Sequence, residues 1–244
     1  MAKTRADQLL VDRGLVESRS KGQALILAGK VFSGERKVLK AGEQLAADAP
    51  LEVRGPDHPW VSRGGIKLDH GLTEFGFDVA GKVGLDVGSS TGGFTDVLLT
   101  RGARMVFAID VGTNQLAWKL RDDDRVIVHE KTNARTLTTK TVTEAPQIVV
   151  CDASFIALHK VLDAALDLAA PGAELVALVK PQFEAGREEV GKGGVVRDPA
   201  VHERVCREAT DWVTSKGWTV LGVERSPITG PEGNVEFLLG ARKE

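Results

Sequence analysis

The chain of 244 residues has only two cysteines, Cys151 and Cys206. Two thiols are too few for a metal-binding set and give no disulfide framework, which fits a reducing compartment. His58, His70, His129, His159 and His202 stand at no ligand spacing, so no metal is expected. No run nears the ~18 apolar residues of a membrane span, and the start Met-Ala-Lys-Thr-Arg-Ala-Asp-Gln has no apolar signal core. The expected location is therefore the cytoplasm, with no membrane partner. A pore former would need amphipathic or membrane-length segments, and the longest apolar strand, Leu175 to Val179, is far too short. An excess of charge of one sign is missing too, with 32 Lys and Arg against 34 Asp and Glu. No overall basic field advertises a polyanion, although residues 1 to 60 hold 10 basic against 8 acidic side chains. What is present, 42% hydrophobic and 27% charged residues, is ordinary globular composition. The length allows one good core and a small second domain.

Along the chain, Ala6, Leu9 and Leu10 mark one face of a helix from Thr4 to Gly14. Ser18 caps a second helix that ends at Gly29. Short strands follow at Lys30-Val31-Phe32 and Leu51-Glu52-Val53, completing a helix-helix-hairpin unit over 1–58. A Pro- and Gly-punctuated linker with its core at 59–65 and holding Trp60 separates it from a domain over 66–244. There the pattern alternates: helix from Lys67, strand Val83–Asp86, helix Phe94–Arg101, strand Met105–Asp110, helix from Gln115, strand Val126–His129, strand Gln147–Asp152, helix from about Ile156, strand Glu174–Lys180. A helix from Pro199 to Lys216 leads into an antiparallel hairpin of Thr219–Glu224 and Asn234–Leu239. Strands alternating with helices predict a doubly wound, Rossmann-like α/β sheet, here finished by an antiparallel strand. The glycine-rich stretch from Phe183 to His202 reads as a long mobile loop beside the site, either a substrate lid or simply a solvated loop.

The stretch from Gly84 to Leu99 is strand, tight turn, helix, with glycine at 88, 92 and 93. Glycine serves where backbone must turn at positive φ or come close to a ligand, and the following helix aims free N–H groups at the same place. Gly93 is followed by Phe94, not Lys, which excludes a phosphate-binding Walker loop, and the spacing is off the dinucleotide pattern G-x-G-x-x-G. Asp86-x-Gly88-x-x-x-Gly92, with a second acid, Asp110, closing the next strand, resembles the signature for S-adenosylmethionine. The expected cradle comprises Asp86, Gly88, Ser89, Ser90, Thr91, Gly92, Gly93 and Phe94.

Asp152 and Lys180 close apolar strands, Glu236 interrupts one, and Lys67 opens the domain. Charges placed so are costly to bury unless they meet one another. In order and setting Lys67, Asp152, Lys180 and Glu236 resemble the Lys-Asp-Lys-Glu tetrad of ribose 2′-O-methyltransferases related to FtsJ. Arg5-Ala-Asp7, Gly14-Leu-Val-Glu-Ser-Arg19 and Gly29-Lys-Val31 resemble the S4 RNA-binding domain. With Ser62-Arg-Gly-Gly-x-Lys67, Thr132-Asn-Ala-Arg135, Val179-Lys-Pro-Gln-Phe-Glu184 and Gly233-Asn-Val-Glu236, the whole chain resembles the TlyA family of ribosomal RNA cytidine 2′-O-methyltransferases, also called hemolysin A. The resemblance implies ribosomal RNA or a ribosomal subunit as partner, Asn133 at the cofactor's adenine, Asp110 and Asp152 also at the cofactor, and Arg5, Arg19, Lys21, Lys30 and Arg63 at RNA. Oligomeric state has no signal.

A ribose hydroxyl is a poor nucleophile that needs positioning and help in losing its proton. Lys180 is expected to be the base. Lys67 would bind substrate and favour the neutral form of its neighbour, while Asp152 and Glu236 orient both lysines and the hydroxyl. Electrostatic steering by a charged Lys180, with water taking the proton, is the open alternative. Asp152-Ala-Ser-Phe155 lacks the prolines of amine methyltransferases, and Cys151 reads as a buried strand residue rather than a nucleophile. Three other functions compete: a non-catalytic ribosome-binding factor, which methylates no RNA; a pore-forming hemolysin, which needs the missing segments; and a pseudouridine synthase, whose Arg-Leu-Asp stretch Lys67-Leu-Asp69 superficially resembles but which uses no S-adenosylmethionine.

Overall fold

The chain divides into two units, Met1–Pro59 and Trp60–Glu244. A computed structural model describes residues 3–16, 18–55, 58–230 and 232–244. Glu17 of the Gly14–Arg19 motif, Pro56 and Asp57 of the expected linker, and Pro231 of the hairpin connection lie outside them.

In the first unit, β1 (Lys3–Arg5) leads into α1 (Ala6–Asp12), and α2 (Arg19–Leu27) into β2 (Val31–Ser33), β3 (Arg36–Lys37), β4 (Gln44–Ala46) and β5 (Leu51–Val53). The order β3-β2-β5 forms one sheet, and β1 pairs with β4. Helix was expected from Thr4, but Lys3–Arg5 is strand because Ala46, Leu45 and Gln44 supply an antiparallel partner. Ser18 caps α2 as read, its Oγ accepting the Lys21 N–H at 3.2 Å. Ala6, Leu9, Leu10, Ile26, Val31, Val38 and Leu45 make the small core. At its edge Asp7 is wholly buried and accepts from Arg5 at 2.9 and 3.0 Å, Gln23 at 2.8 Å and Arg19 at 3.3 Å. The Arg5 guanidinium holds its carboxyl well below the usual carboxylate range.

The second unit opens at Trp60, so most of the expected linker belongs to it. The Val61 N–H donates to Asp96 at 2.8 Å, and α3 (Gly64–Glu74) begins inside the stretch read as linker. Gly65 lies so close beneath Trp60 that a Cβ would come within 2.2 Å of the indole. Then follow β6 (Val83–Val87), α4 (Gly93–Thr100), β7 (Met105–Ile109), α5 (Trp118–Arg121), β8 (Val126–His129), β9 (Ile148–Cys151), α6 (Leu158–Val161), α7 (Asp163–Leu168), β10 (Glu174–Val179), α8 (Pro181–Glu184), α9 (Pro199–Ser215), β11 (Trp218–Arg225) and β12 (Phe237–Lys243).

These strands form a seven-stranded sheet, β11-β12-β10-β9-β6-β7-β8, parallel from β10 to β8. β12 inserts antiparallel between β10 and β11. The inner strands β6, β9 and β10 are buried along their whole length because both faces are covered. Leu68, Leu72, Val97 and Leu98 of α3 and α4 fill one face, and Leu162, Leu166, Val205 and Val213 fill the other.

Two sequence expectations change. Glu236 precedes β12 instead of lying within it, although the Glu236 carbonyl still accepts the Ser226 N–H at 2.9 Å. The stretch from Phe183 to His202 is largely tied down. It contains a 3-10 turn at Arg187–Glu189, a bridge between Gly191 and Val195, and the start of α9. Buried Asn234 holds it from across the site, accepting the Val196 N–H at 3.0 Å and donating to the Gly194 carbonyl at 2.9 Å.

Candidate active site

β6 has β7 on one side and β9 on the other, so successive crossovers run in opposite directions from it. Such a switch point opens a crevice beyond the carboxyl ends of the strands. The loop after β6 and the residues after β9 meet there: the Asp152 N–H donates to the Val87 carbonyl at 3.2 Å. Gly88 has φ +82°, and a Cβ on it would stand 2.9 Å from the Ala153 Cα. Only glycine lets these loops touch.

Two cavities fill the crevice, of about 700 and 550 Å³, sharing Gly88, Ser90, Asp152, Ser154 and Phe155. The smaller takes in Asp110, Gln115, Asn133 and the apolar Val111, Ala134 and Ile156. One Asp110 oxygen accepts the Ser90 N–H at 2.7 Å, and the other the Gly112 N–H at 2.7 Å. Each oxygen keeps a lone pair for a further donor. Asn133 is exposed, its Oδ1 accepting the Arg135 N–H at 3.0 Å. A fixed acid beside an apolar slot suits a nucleoside with vicinal hydroxyls, so the cavity fits S-adenosylmethionine, with Asp110, Asn133, Gly88 and Ser90 to hold it.

The larger cavity is lined by Ser89, Thr91, Gly93, Phe94 and Arg63, and by all four charged residues expected to meet. The Lys67 Nζ is 2.6 Å from the Glu236 carboxylate and 3.8 Å from Asp152. The Lys180 Nζ is 2.6 Å from the other Asp152 oxygen. Asp152 thus bridges two lysines that are 7% and 5% exposed, and Glu236 is 2% exposed. Such buried charges persist only as a paired set.

Two cradle residues do not reach either cavity. Asp86 is buried beneath the loop, one oxygen accepting both the N–H and the hydroxyl of Thr95, at 3.0 and 2.7 Å, so it fixes the first turn of α4. Gly92, at φ +94°, turns toward the core, where a Cβ would be 2.3 Å from Leu120. Arg63 is exposed in the second unit, whereas Lys21 is exposed in the first. Cys151 is buried and its thiol is pushed up to about 12, as an inert strand residue requires. Ser154 and Phe155, which no sequence motif marks, line both cavities. Phe155 is 90% exposed and holds φ +65°, an uncommon conformation for a bulky side chain.

Burial raises the Asp86 carboxyl to about 7. Between the unfolded value near 3.8 and about 7 the folded chain keeps a proton that the unfolded chain has lost, so stability falls as pH rises through that window. Asp86→Asn removes this dependence. Its stability relative to the parent is expected to climb by about 4 kcal/mol between pH 4 and 8, read from urea unfolding midpoints. A gap that does not change with pH would overturn the assignment.

An open α/β sheet with an antiparallel strand beside β10, a glycine turn after β6 and an acid after β7 defines an S-adenosylmethionine-dependent methyltransferase. More narrowly, the chain belongs to the FtsJ-like methyltransferase family, whose model matches residues 60–243. It is 50% identical over 238 residues to a Bacillus subtilis protein assigned as the rRNA methyltransferase YqxC, covering 97% of this chain and 85% of that one. It is 46% identical over 243 residues to the 16S/23S rRNA (cytidine-2′-O)-methyltransferase TlyA of Mycobacterium tuberculosis, covering 99% and 91%. A solved Streptococcus thermophilus structure, of a chain assigned to the hemolysins, matches with TM-score 0.77 and 42% identity, covering 100% of this chain and 89% of that one. Among the described residues no helix is long and apolar enough to cross a membrane.

Proposed function

We propose that this enzyme methylates the ribose 2′-hydroxyl of a cytidine in ribosomal RNA, in the cytoplasm. The observation that carries the reading is the convergence of Lys67, Asp152, Lys180 and Glu236 in one cavity beside the cofactor slot. Bound S-adenosylmethionine supplies an electrophilic methyl group. Lys67 has one short contact, to Glu236, which leaves donor positions to bind the ribose oxygen. Lys180 takes the hydroxyl proton, and Asp152 holds both lysines in place. Being shared between the cavities, Asp152 also faces the cofactor.

Residues 1–58 act as an S4-like docking unit, with Arg63 extending the contact to the rim of the site. Arg5 and Arg19 give part of their charge to Asp7, so Lys21 and Lys30 are left as the stronger phosphate contacts. Replacing both with Glu in the full chain is expected to weaken RNA binding, lower the slope of log affinity against log salt by about two, and leave cofactor affinity unchanged. An unaltered salt slope would remove these lysines from the interface.

The deciding test is transfer of labelled methyl to naked ribosomal RNA, separate subunits and assembled ribosomes, with the modified position mapped. Label on one cytidine ribose establishes the activity and names its target. Bound cofactor without label on any of them makes the chain a binding factor instead.

A further inference from the structure

Three oxygens surround the Lys180 ammonium: it donates to the Ser154 Oγ at 3.0 Å and the Asp152 carbonyl at 3.2 Å, and the Asp152 carboxylate stands 2.6 Å away as its ion-pair partner. Two belong to one residue. The third is the Ser154 hydroxyl. Lys180 is 5% exposed and faces the larger cavity, so a ribose bound there closes its direct way to water, whereas Ser154 is exposed and lines both cavities. To act as a base, Lys180 must first lose a proton and later regain one from the ribose. Asp152 could take that proton only by surrendering the negative charge that pairs both lysines. A hydroxyl accepts and donates at once, and passes a proton without changing charge.

We propose that Ser154 is a positioning residue that aims the Lys180 amine and conducts its proton to solvent. This rests on the function proposed above. In the step, an Nζ–H bond breaks as an O–H bond forms at the serine Oγ. The hydroxyl's original O–H breaks toward a water molecule, which leaves as hydronium. Lys180 is left neutral with its lone pair free for the 2′-hydroxyl proton, and no electrons change hands. The hydroxyl's contact also keeps the lysine in a single orientation between Asp152 and the cavity.

The test uses the full chain and whichever ribosomal RNA or subunit accepts label. Ser154→Ala is expected to lower kcat about tenfold, the worth of one supporting hydrogen bond, with KM for RNA and cofactor affinity unchanged. Ser154→Thr, which keeps the hydroxyl, restores the rate. Raising the concentration of a small proton carrier, imidazole, speeds the alanine variant but not the parent, which a merely structural serine would not produce. Unchanged kcat in Ser154→Ala, a loss that threonine does not repair, or a loss indifferent to imidazole overturns the proposal. A parent chain that methylates no ribosomal RNA overturns the functional reading as well, and that failure is seen before any variant is made.

Discussion

Lys180→Ala is expected to lose about 10³-fold in methyl transfer while binding S-adenosylmethionine as the parent does. The residue sits at the end of β10 with its Nζ against Asp152, facing the larger cavity and absent from the lining of the smaller one. A general base contributes through the transition state alone, so kcat and kcat/KM should fall together. A loss confined to KM would make Lys180 a binding group, and activity retained across the pH range would remove it from the chemistry. Lys180→Arg separates the two original readings. A guanidinium keeps the charge but stays protonated, so substantial activity in it would favour electrostatic steering over proton abstraction.

The second large effect concerns Lys67 and Glu236, paired at 2.6 Å with little exposure. Glu236→Ala strands a buried ammonium whose remaining carboxylate is 3.8 Å away, and about 3–5 kcal/mol of stability should go with it. Replacing both partners by apolar residues, Lys67→Met with Glu236→Leu, is expected to recover most of that loss, since a buried pair is often no stronger than the hydrophobic contact it displaces. Both variants should be without methyl transfer. Urea unfolding together with the transfer assay reads this cycle, and its value lies in uncoupling fold from function. If the double variant still methylates RNA, the tetrad is scaffolding and the chemistry belongs to other groups.

Asp152, Lys180 and Glu236 were legible in the sequence because each ends or interrupts an apolar run, where an isolated charge is too costly to stand alone, and Lys67 joined them only through the resemblance to the tetrad. The strands were legible from the same runs. Orientation was not. Asp86 occupies the acid position of the cofactor motif, yet motif spacing does not say which way a carboxylate turns, and here Thr95 claims it. Gly92 likewise answers to Leu116 and Leu120 in the core. Glu236 was read inside a strand because Val235 and the residues after it are apolar. Asn234 binds the segment opposite instead, and β12 begins at Phe237. The same contact explains why a glycine-rich stretch that reads as loose is anchored. Ser154 left no local signal at all: its contact exists only because β9 and β10 end side by side.

That β12 lies in the interior of the sheet, between β10 and β11, has a bearing on how the protein is made. Lys67 and the glutamate it needs are 169 positions apart, and the strand that carries Glu236 into place is the last element of the sheet to be synthesised. At a usual elongation speed, roughly 10–30 s separate the appearance of one from the other. Until then β10 has an open edge and the lysine only the more distant Asp152 carboxylate, 3.8 Å away. The parallel strands of the cofactor half all precede residue 236, so the buried lysine–glutamate pair is the part of the site that closes latest.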